Sequence, residues 1–418
     1  MSDLLRRVTR ISFPCSPALA ASLCLATALP FAALPSPAAA GEIRVGALSD
    51  LTGAYSHVGA LMADAKDLAA ADVNAQGGLL ATGETYTLVR GDSRCNADDG
   101  LAAGRAVFES GIVAMLGATC SGATIAMAEN VAIPNGLMVI SPSATAPVIS
   151  GMKDNDLVFR MSPSDLFLSE ALSAMVLDRG IKRAAVTWAD DAYNKGVGDA
   201  FLAEFRAHGG IVTAEAEHVA GSTDYAALVG QLATGETDVL IVFAYYDASG
   251  ADVINAALAE GSFKIFFGAD GMINDGLVTQ VGAENLGWSL FMIAAADRRT
   301  AGYKRFTKIA EAAGLDPATP FLAQSYDAAF LAALAIEKAG STDPAAIRDA
   351  LRDVANAPGA RVLPGEWAEA KALIAAGEDI NYFGASGQVE FDAAGDTPGR
   401  FSVDTVKPDG SWDVFVLR

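Results

Sequence analysis

From Gly41 onward the chain alternates short apolar runs with longer stretches of helical spacing, the pattern of a parallel α/β architecture. The run Glu42 to Leu48 reads as a first strand, followed by a helix from about Val58 to Ala75 that stops at Gly77-Gly78. Strands over Thr85 to Asp92 and Ile112 to Gly117 flank a helix at Ala97 to Ser110. A short helix from Gly122 to Val131, a strand ending near Ile140 and the run Leu157 to Met161 complete the series. A second series starts beyond Pro163. Its strands are Ala184 to Trp188, Ile211 to Glu217, Val239 to Phe243 and Phe263 to Phe267, and its helices are Leu166 to Arg179, a stretch ending in Phe201 to Ala207, Tyr225 to Ala233 and Ala251 to Glu260. After the run Leu290 to Ala295 come helical stretches at Tyr303 to Ala313, Phe321 to Ala339 and Pro344 to Val354. Gln388 to Leu417 then alternates in strand fashion around the turns AAGD and PDG. The pattern predicts two similar lobes, with a tail of strands returning to a lobe already built.

The segment before Gly41 follows another rule. Arg6, Arg7 and Arg10, an apolar middle from about Ala18 to Ala33, and Ala38-Ala39-Ala40 form a secretory signal over residues 1–40. Its removal with Asp3 leaves a chain more acidic than the net charge of −21 of the whole sequence. Such a surface disfavours nucleic acid and anionic membrane as partners. No later run is long and apolar enough for stable membrane insertion. Roughly 380 residues exceed what one core serves, which again gives two lobes. Cys15 and Cys24 leave with the signal. Cys95 and Cys120 remain, and an even pair in an exported protein reads as a disulfide; the alternative is a nucleophilic Cys120, with no histidine near it in sequence.

The candidate chemistry lies where strands end. After Gly117, Ser121 and Gly122 stand at the start of a helix whose first amides lack partners, and the turn SPSATAP offers Ser143, Ala144 and Thr145. In the second series Tyr193, Tyr245 and Asp270 each follow a strand. Hydroxyls and amides suit a carboxylate, a carboxyl suits an ammonium, and tyrosine rings suit the carbon between them. Each residue also has a plain explanation, Ser121 as a cap and Asp270 as a turn former. No nucleotide loop, zinc spacing, complete calcium loop or hydrolase elbow is present, so no cofactor, metal or catalytic residue is assigned. No second acid or base is assigned to the pocket either, so the ligand's side chain is expected to be uncharged.

IRVGALSDLTGAYSHVG, DVNAQGG, the pair GDSRCNAD and GATCSGAT, ISPSATAP, FFGADG, SYDAAFLAALAIEKAGS and FGASGQVEFDAAGD together resemble the substrate-binding proteins of branched-chain amino acid ABC transporters. The resemblance covers nearly all of Gly41 to Arg418. It implies the type I periplasmic binding fold, two doubly wound Rossmann-like lobes joined by a three-crossover hinge that close on ligand. Lobe 1 would comprise 41–162 plus 296–385, and lobe 2 would comprise 163–295 plus 386–418. It further implies that Ser121, Ser143 and Thr145 receive the ligand carboxylate, that Tyr245 and Asp270 receive its amino group, and that Tyr193 covers it. The expected protein is a periplasmic, non-enzymatic receptor for a small neutral amino acid, with an ABC permease as partner. Amides, urea-like compounds and aromatic acids are other ligands of such proteins, Asp270 is shorter than the glutamate of better-known members, and an exported hydrolase using Ser121 or Cys120 is the reading from another class.

Overall fold

Parallel pairing dominates both halves of the chain, because short apolar strands linked by helices are covered on both faces. The computed structural model describes residues 41–417, and the expected signal segment lies outside them. The first sheet contains β1 (Glu42–Ser49), β2 (Thr85–Asp92), β3 (Met115–Leu116), β4 (Val139–Ser141) and β5 (Val158–Arg160), all parallel, in the order β2-β1-β3-β4-β5. The second contains β6 (Arg183–Ala189), β7 (Ile211–His218), β8 (Val239–Phe243), β9 (Phe266–Ala269) and β10 (Leu290–Ala295), also parallel. A small separate pair, β11 (Ala360–Val362) and β12 (Ile380–Tyr382), precedes β13 (Arg400–Val406) and β14 (Trp412–Val416). These last two add antiparallel to β10, giving the order β14-β13-β10-β9-β8-β6-β7, so the tail does return to a finished sheet.

Helices α1 (Ser56–Ala75), α2 (Ala97–Phe108), α3 (Ser121–Met127), α4 (Asp165–Asp178) and α5 (Ala192–Ala207) begin near the ends of strands or their turns. Asn96 caps α2 by accepting from the Asp99 amide at 2.8 Å, and Asp191 caps α5 by accepting from the Tyr193 and Asn194 amides, each at 3.0 Å. The helix Leu322–Ala339 is buried on almost every side and packs with α1 against the first sheet. Its Tyr326 and Phe330 rings stack, and Phe330 in turn meets Trp367 and Tyr382. A second core spans the other sheet and takes in Tyr55, Val58, Met62 and Phe321 from the first lobe, so the lobes are in contact across the cleft.

Several expectations shift. The strand expected over Ile112 to Gly117 pairs only at Met115–Leu116, and the strand at Phe263 to Phe267 starts at Phe266. The helix expected over Gly122 to Val131 becomes α3 followed by a π turn at Ala128–Ala132, ahead of Pro134, which has no amide to continue the ladder. The alternation from Gln388 does not pair as a strand until Arg400, because Val389 and Phe391 bury their side chains in the first core. Among the described residues no helix is long and apolar enough to cross a membrane.

One buried ion pair fixes the route back. Arg160, at the end of β5, places Nε 2.5 Å from Asp396 Oδ1 and one terminal nitrogen 2.9 Å from Oδ2. Its other donors reach the Ala146 carbonyl at 3.0 Å and Ser150 Oγ at 2.5 Å. Both charges are out of water, so removing one strands the other. Asp396→Ala is therefore expected to destabilise the protein by about 3–5 kcal/mol in urea or guanidinium unfolding, whereas Glu42→Ala, which removes an exposed partner of Arg44, should leave the unfolding midpoint nearly unchanged.

Candidate functional site

Both sheets place their topological switch, β1 against β3 and β6 against β8, with carboxyl ends toward the cleft between them. On the first side Gly117 holds φ at +106°, and a Cβ there would stand 2.2 Å from the Leu48 carbonyl oxygen, so only glycine lets the chain cross the end of β1. The crossing leads to Cys120, which is disulfide-bonded to Cys95. Cys120 thus has no thiol to act as a nucleophile. Asp50 lies buried beside this bridge, accepting from Ser93 Oγ at 2.5 Å and the Cys95 amide at 2.8 Å; burial pushes its carboxyl up to about 6. Below it Lys66 donates to the Leu48 carbonyl and Ser49 Oγ, and burial pulls its ammonium down to about 7.

The loops after β3 and β4 are stitched together. Ser143 Oγ donates to the Thr119 carbonyl at 2.7 Å, Ser141 Oγ donates to the Ala118 carbonyl at 2.8 Å, and Ser121 Oγ accepts from the Ala146 amide at 3.2 Å. The consequence is a division of labour. The Ser121 hydroxyl keeps its proton free to donate, while Ser143 has spent its own and can only accept.

On the second side the Tyr193 hydroxyl donates to the Asp270 carboxylate, and the Tyr245 ring lies 5.5 Å from the Tyr193 ring and 5.6 Å from that of Tyr55. Burial pushes Asp270 up to about 6 against the opposing pull of the Tyr193 bond, and it drives the Tyr193, Tyr245 and Tyr55 phenols well above their usual range. All three tyrosines are therefore neutral donors.

These groups converge on a narrow cavity of about 10 Å³ lined by Tyr55, Thr119, Cys120, Ser121, Ser143, Tyr193, Tyr245, Asp270 and Phe321. Of the residues singled out in the sequence, Ser121, Ser143, Tyr193, Tyr245 and Asp270 face it. Gly122, Ala144 and Thr145 do not line it: Gly122 lies in the first turn of α3, and Ala144 and Thr145 are buried in the turn behind. Thr119 and Phe321 enter without having been singled out. Phe321 has φ +57° just before the helix Leu322–Ala339, and helical spacing alone reads it as the helix's first residue. Tyr55, just before α1, brings an aromatic ring to the cavity from the first strand-to-helix turn.

Asp270 is the acid among the residues that line the cavity, and a second buried carboxyl stands outside that lining. Asp165, in the first turn of α4, is fully buried near Thr145, and burial, with the Asp270 carboxyl next in weight, pushes it up to about 8. An acid after a serine cap looks like ordinary helix-start chemistry, so the sequence carried no signal of this. The Thr119 hydroxyl is buried without a hydrogen-bond partner among the described residues, while the Thr145 hydroxyl stands close enough to the Asp165 carboxyl to favour its charged form against burial.

A family model described as periplasmic binding protein matches residues 42–393. The Leu/Ile/Val-binding protein BraC3 of Rhizobium johnstonii is 27% identical over 320 residues, spanning 76% of this chain and 85% of that protein. The fold matches the leucine binding protein LivK of Thermotoga maritima with a TM-score of 0.75 at 24% identity, covering 90% of this chain and 99% of that one. It also matches LivJ of Streptococcus pneumoniae in complex with isoleucine, with a TM-score of 0.72, 25% identity and the same coverage of 90% and 99%.

Two measurements check the site's chemistry. Unreduced, denatured protein purified from the periplasm should show no titratable thiol from Cys95 or Cys120. The second is a pH profile. Asp270 titrates near 6 when folded and, like other aspartates, near 3.9 when unfolded, so its ionisation favours the unfolded chain. Stability of the free protein should fall as pH rises from about 4 to about 6, and Asp270→Asn should remove on the order of 2–3 kcal/mol of that fall.

Proposed function

The chain belongs to the periplasmic binding protein family, and from that membership we propose that it captures a small α-amino acid between its lobes in the periplasm and delivers it to an ABC permease, without transforming it. One observation carries the reading. A single cavity between two lobes sets a buried carboxyl, Asp270, across from the free Ser121 hydroxyl, with tyrosine rings between. A zwitterion answers both ends. Its carboxylate is bound by the Ser121 hydroxyl, the turn at Ala144 and Thr145 and the first amides of α3 near Gly122, with Ser143, its hydroxyl committed to Thr119, forming the wall beside it; its ammonium meets Asp270 and Tyr245, with Tyr193 covering it. Relatives whose names give leucine, isoleucine and valine as ligands support an uncharged aliphatic side chain. Lobe 1, 41–162 with 296–385, and lobe 2, 163–295 with 386–418, turn about points near Ser162, Ala295 and Gly384 to trap the ligand.

A thermal-shift screen of neutral amino acids against their deaminated acids, their amides, urea and benzoates tests this. A ligand at about 1,000 times its dissociation constant adds about 4 kcal/mol, enough for a clear rise in melting temperature. Neutral amino acids should stabilise and deaminated acids should not; equal stabilisation by the acids would remove the ammonium from Asp270. Asp270→Asn should weaken binding by about 2–5 kcal/mol while leaving the fold intact. Scattering curves should contract on ligand addition if the free protein samples an open form.

A further inference from the structure

Phe321 also lines a second, larger cavity that the amino-acid reading leaves unused. This space, of about 490 Å³, lies between His57, Val58 and Leu61 of α1 on one side and Ile273 and the tail strands on the other, and Phe321 is the one residue it shares with the cavity of Ser121 and Asp270. Its floor follows from strand register. β13 pairs antiparallel with β10 and with β14, which sets Ser402 opposite Ile293 and Val416, and Asp404 opposite Val414, all lining the cavity. Asp404 is 6% exposed and accepts from the Ser402 hydroxyl at 2.8 Å, while burial pushes its carboxyl up to about 6. Trp412 lies on the same face; its indole N–H is spent on Asp275 at 3.0 Å, so what it offers is its ring. Gln324, 4% exposed, lines the cavity too, and among the described residues no hydrogen bond takes up its side-chain amide. Three carboxyls, Asp275, Asp316 and Asp404, stand against one guanidinium, that of the exposed Arg298, and His57 is held toward its neutral form by burial. Such a space disfavours an anion, and its apolar walls disfavour a hydrated metal ion. A neutral apolar guest would leave the Asp404 carboxylate and the Gln324 amide without a partner.

We propose that this cavity is a second ligand site, taking a small organic ammonium ion with an apolar or aromatic body. The ammonium donates to the Asp404 carboxylate and to the Gln324 side-chain carbonyl, and the carbon body lies on the Trp412 ring and the apolar wall of Ile273, Ile293 and Val58. The volume is of the size that holds a small organic molecule. Because α1 packs on the first sheet and β13 and β14 belong to the second, the guest touches both lobes at once. The site is separate from the amino-acid cavity and does not depend on what that cavity binds.

Calorimetric titration with phenethylamine at pH 7 tests this, with phenylethanol and phenylpropionate as neutral and anionic probes of similar body. The amine should bind saturably, and the alcohol and the carboxylate should bind at least about tenfold more weakly. Asp404→Asn, which can still accept from Ser402, should cut the amine's affinity at least about tenfold. Val414→Trp, at a residue 39% exposed on the edge strand β14, should cut it as well by filling the space. Asp270→Asn should leave the amine's affinity unchanged, and saturating L-leucine should not displace it. Unfolding midpoints of the variants check that each keeps its fold. Absence of saturable amine binding by about 10 mM would overturn the proposal, as would equal binding of the three probes, wild-type affinity in both Asp404→Asn and Val414→Trp, or displacement by L-leucine, which would move the amine to the Asp270 cavity. If L-leucine itself does not bind, the amino-acid reading falls alone, and the amine titrations of the Asp404 and Asp270 variants still decide the second site.

Discussion

The buried fork between Arg160 and Asp396 is the constraint on which the site's first side depends. It joins the last strand of the first sheet to the segment that leads into β13, and the same guanidinium holds the Ala144 and Ala146 carbonyls of the ligand turn. A guanidinium suits this because its planar donors reach a carboxylate and backbone carbonyls at once. A second carboxylate does similar work nearby. Asp327 accepts from the Tyr382 hydroxyl at 2.6 Å, from the Ala385 and Ser386 amides at 2.7 Å each, and from Ser386 Oγ at 2.6 Å, pinning the returning chain to the helix Leu322–Ala339. The returning passage is therefore anchored at two points, Asp327 and Asp396.

Anchoring matters because the cleft itself is poor in internal compensation. Asp165 and Asp270 are both buried, and among the described residues the Thr119 hydroxyl has no protein partner. Groups in that condition cost free energy until something polar meets them. A site of this kind closes most favourably on a ligand that supplies both an acceptor and donors. Its walls are stiffened accordingly, by the disulfide, by Lys66 under the end of β1, and by the Ser141, Ser143 and Ser121 bonds between neighbouring loops. Preorganised walls of this kind lower the cost of ordering the site around a ligand.

Local order and local chemistry were legible in the chain. Alternating apolar runs and helical periods gave nearly every strand and helix of both sheets, since period and punctuation are properties of a few consecutive residues. Strand-end residues were legible for the same reason: once the strands are placed, a parallel sheet sends all its carboxyl ends to one edge, and Ser121, Ser143, Tyr193, Tyr245 and Asp270 follow. The misplacements have local causes, such as the positive φ of Gly117, which ends β3, and Pro134, which interrupts a helix.

What the sequence by itself determined, then, is the series of elements, the paired cysteines and the character of each strand end. Tertiary structure alone decided that Val389 and Phe391 pack on the first lobe before the chain pairs at Arg400, that Arg160 and Asp396 meet across 236 positions, and that Phe321 reaches the cavity from a distant helix start. It also decided the company of Asp165. Along the chain that residue is an acid after a serine cap, a common helix start; in the fold it is 1% exposed, and burial raises its carboxyl well above the usual range. The physical reason is that charge and burial are set by what surrounds a group in space, and a pattern of neighbours along the chain carries no record of which distant segments will exclude its water.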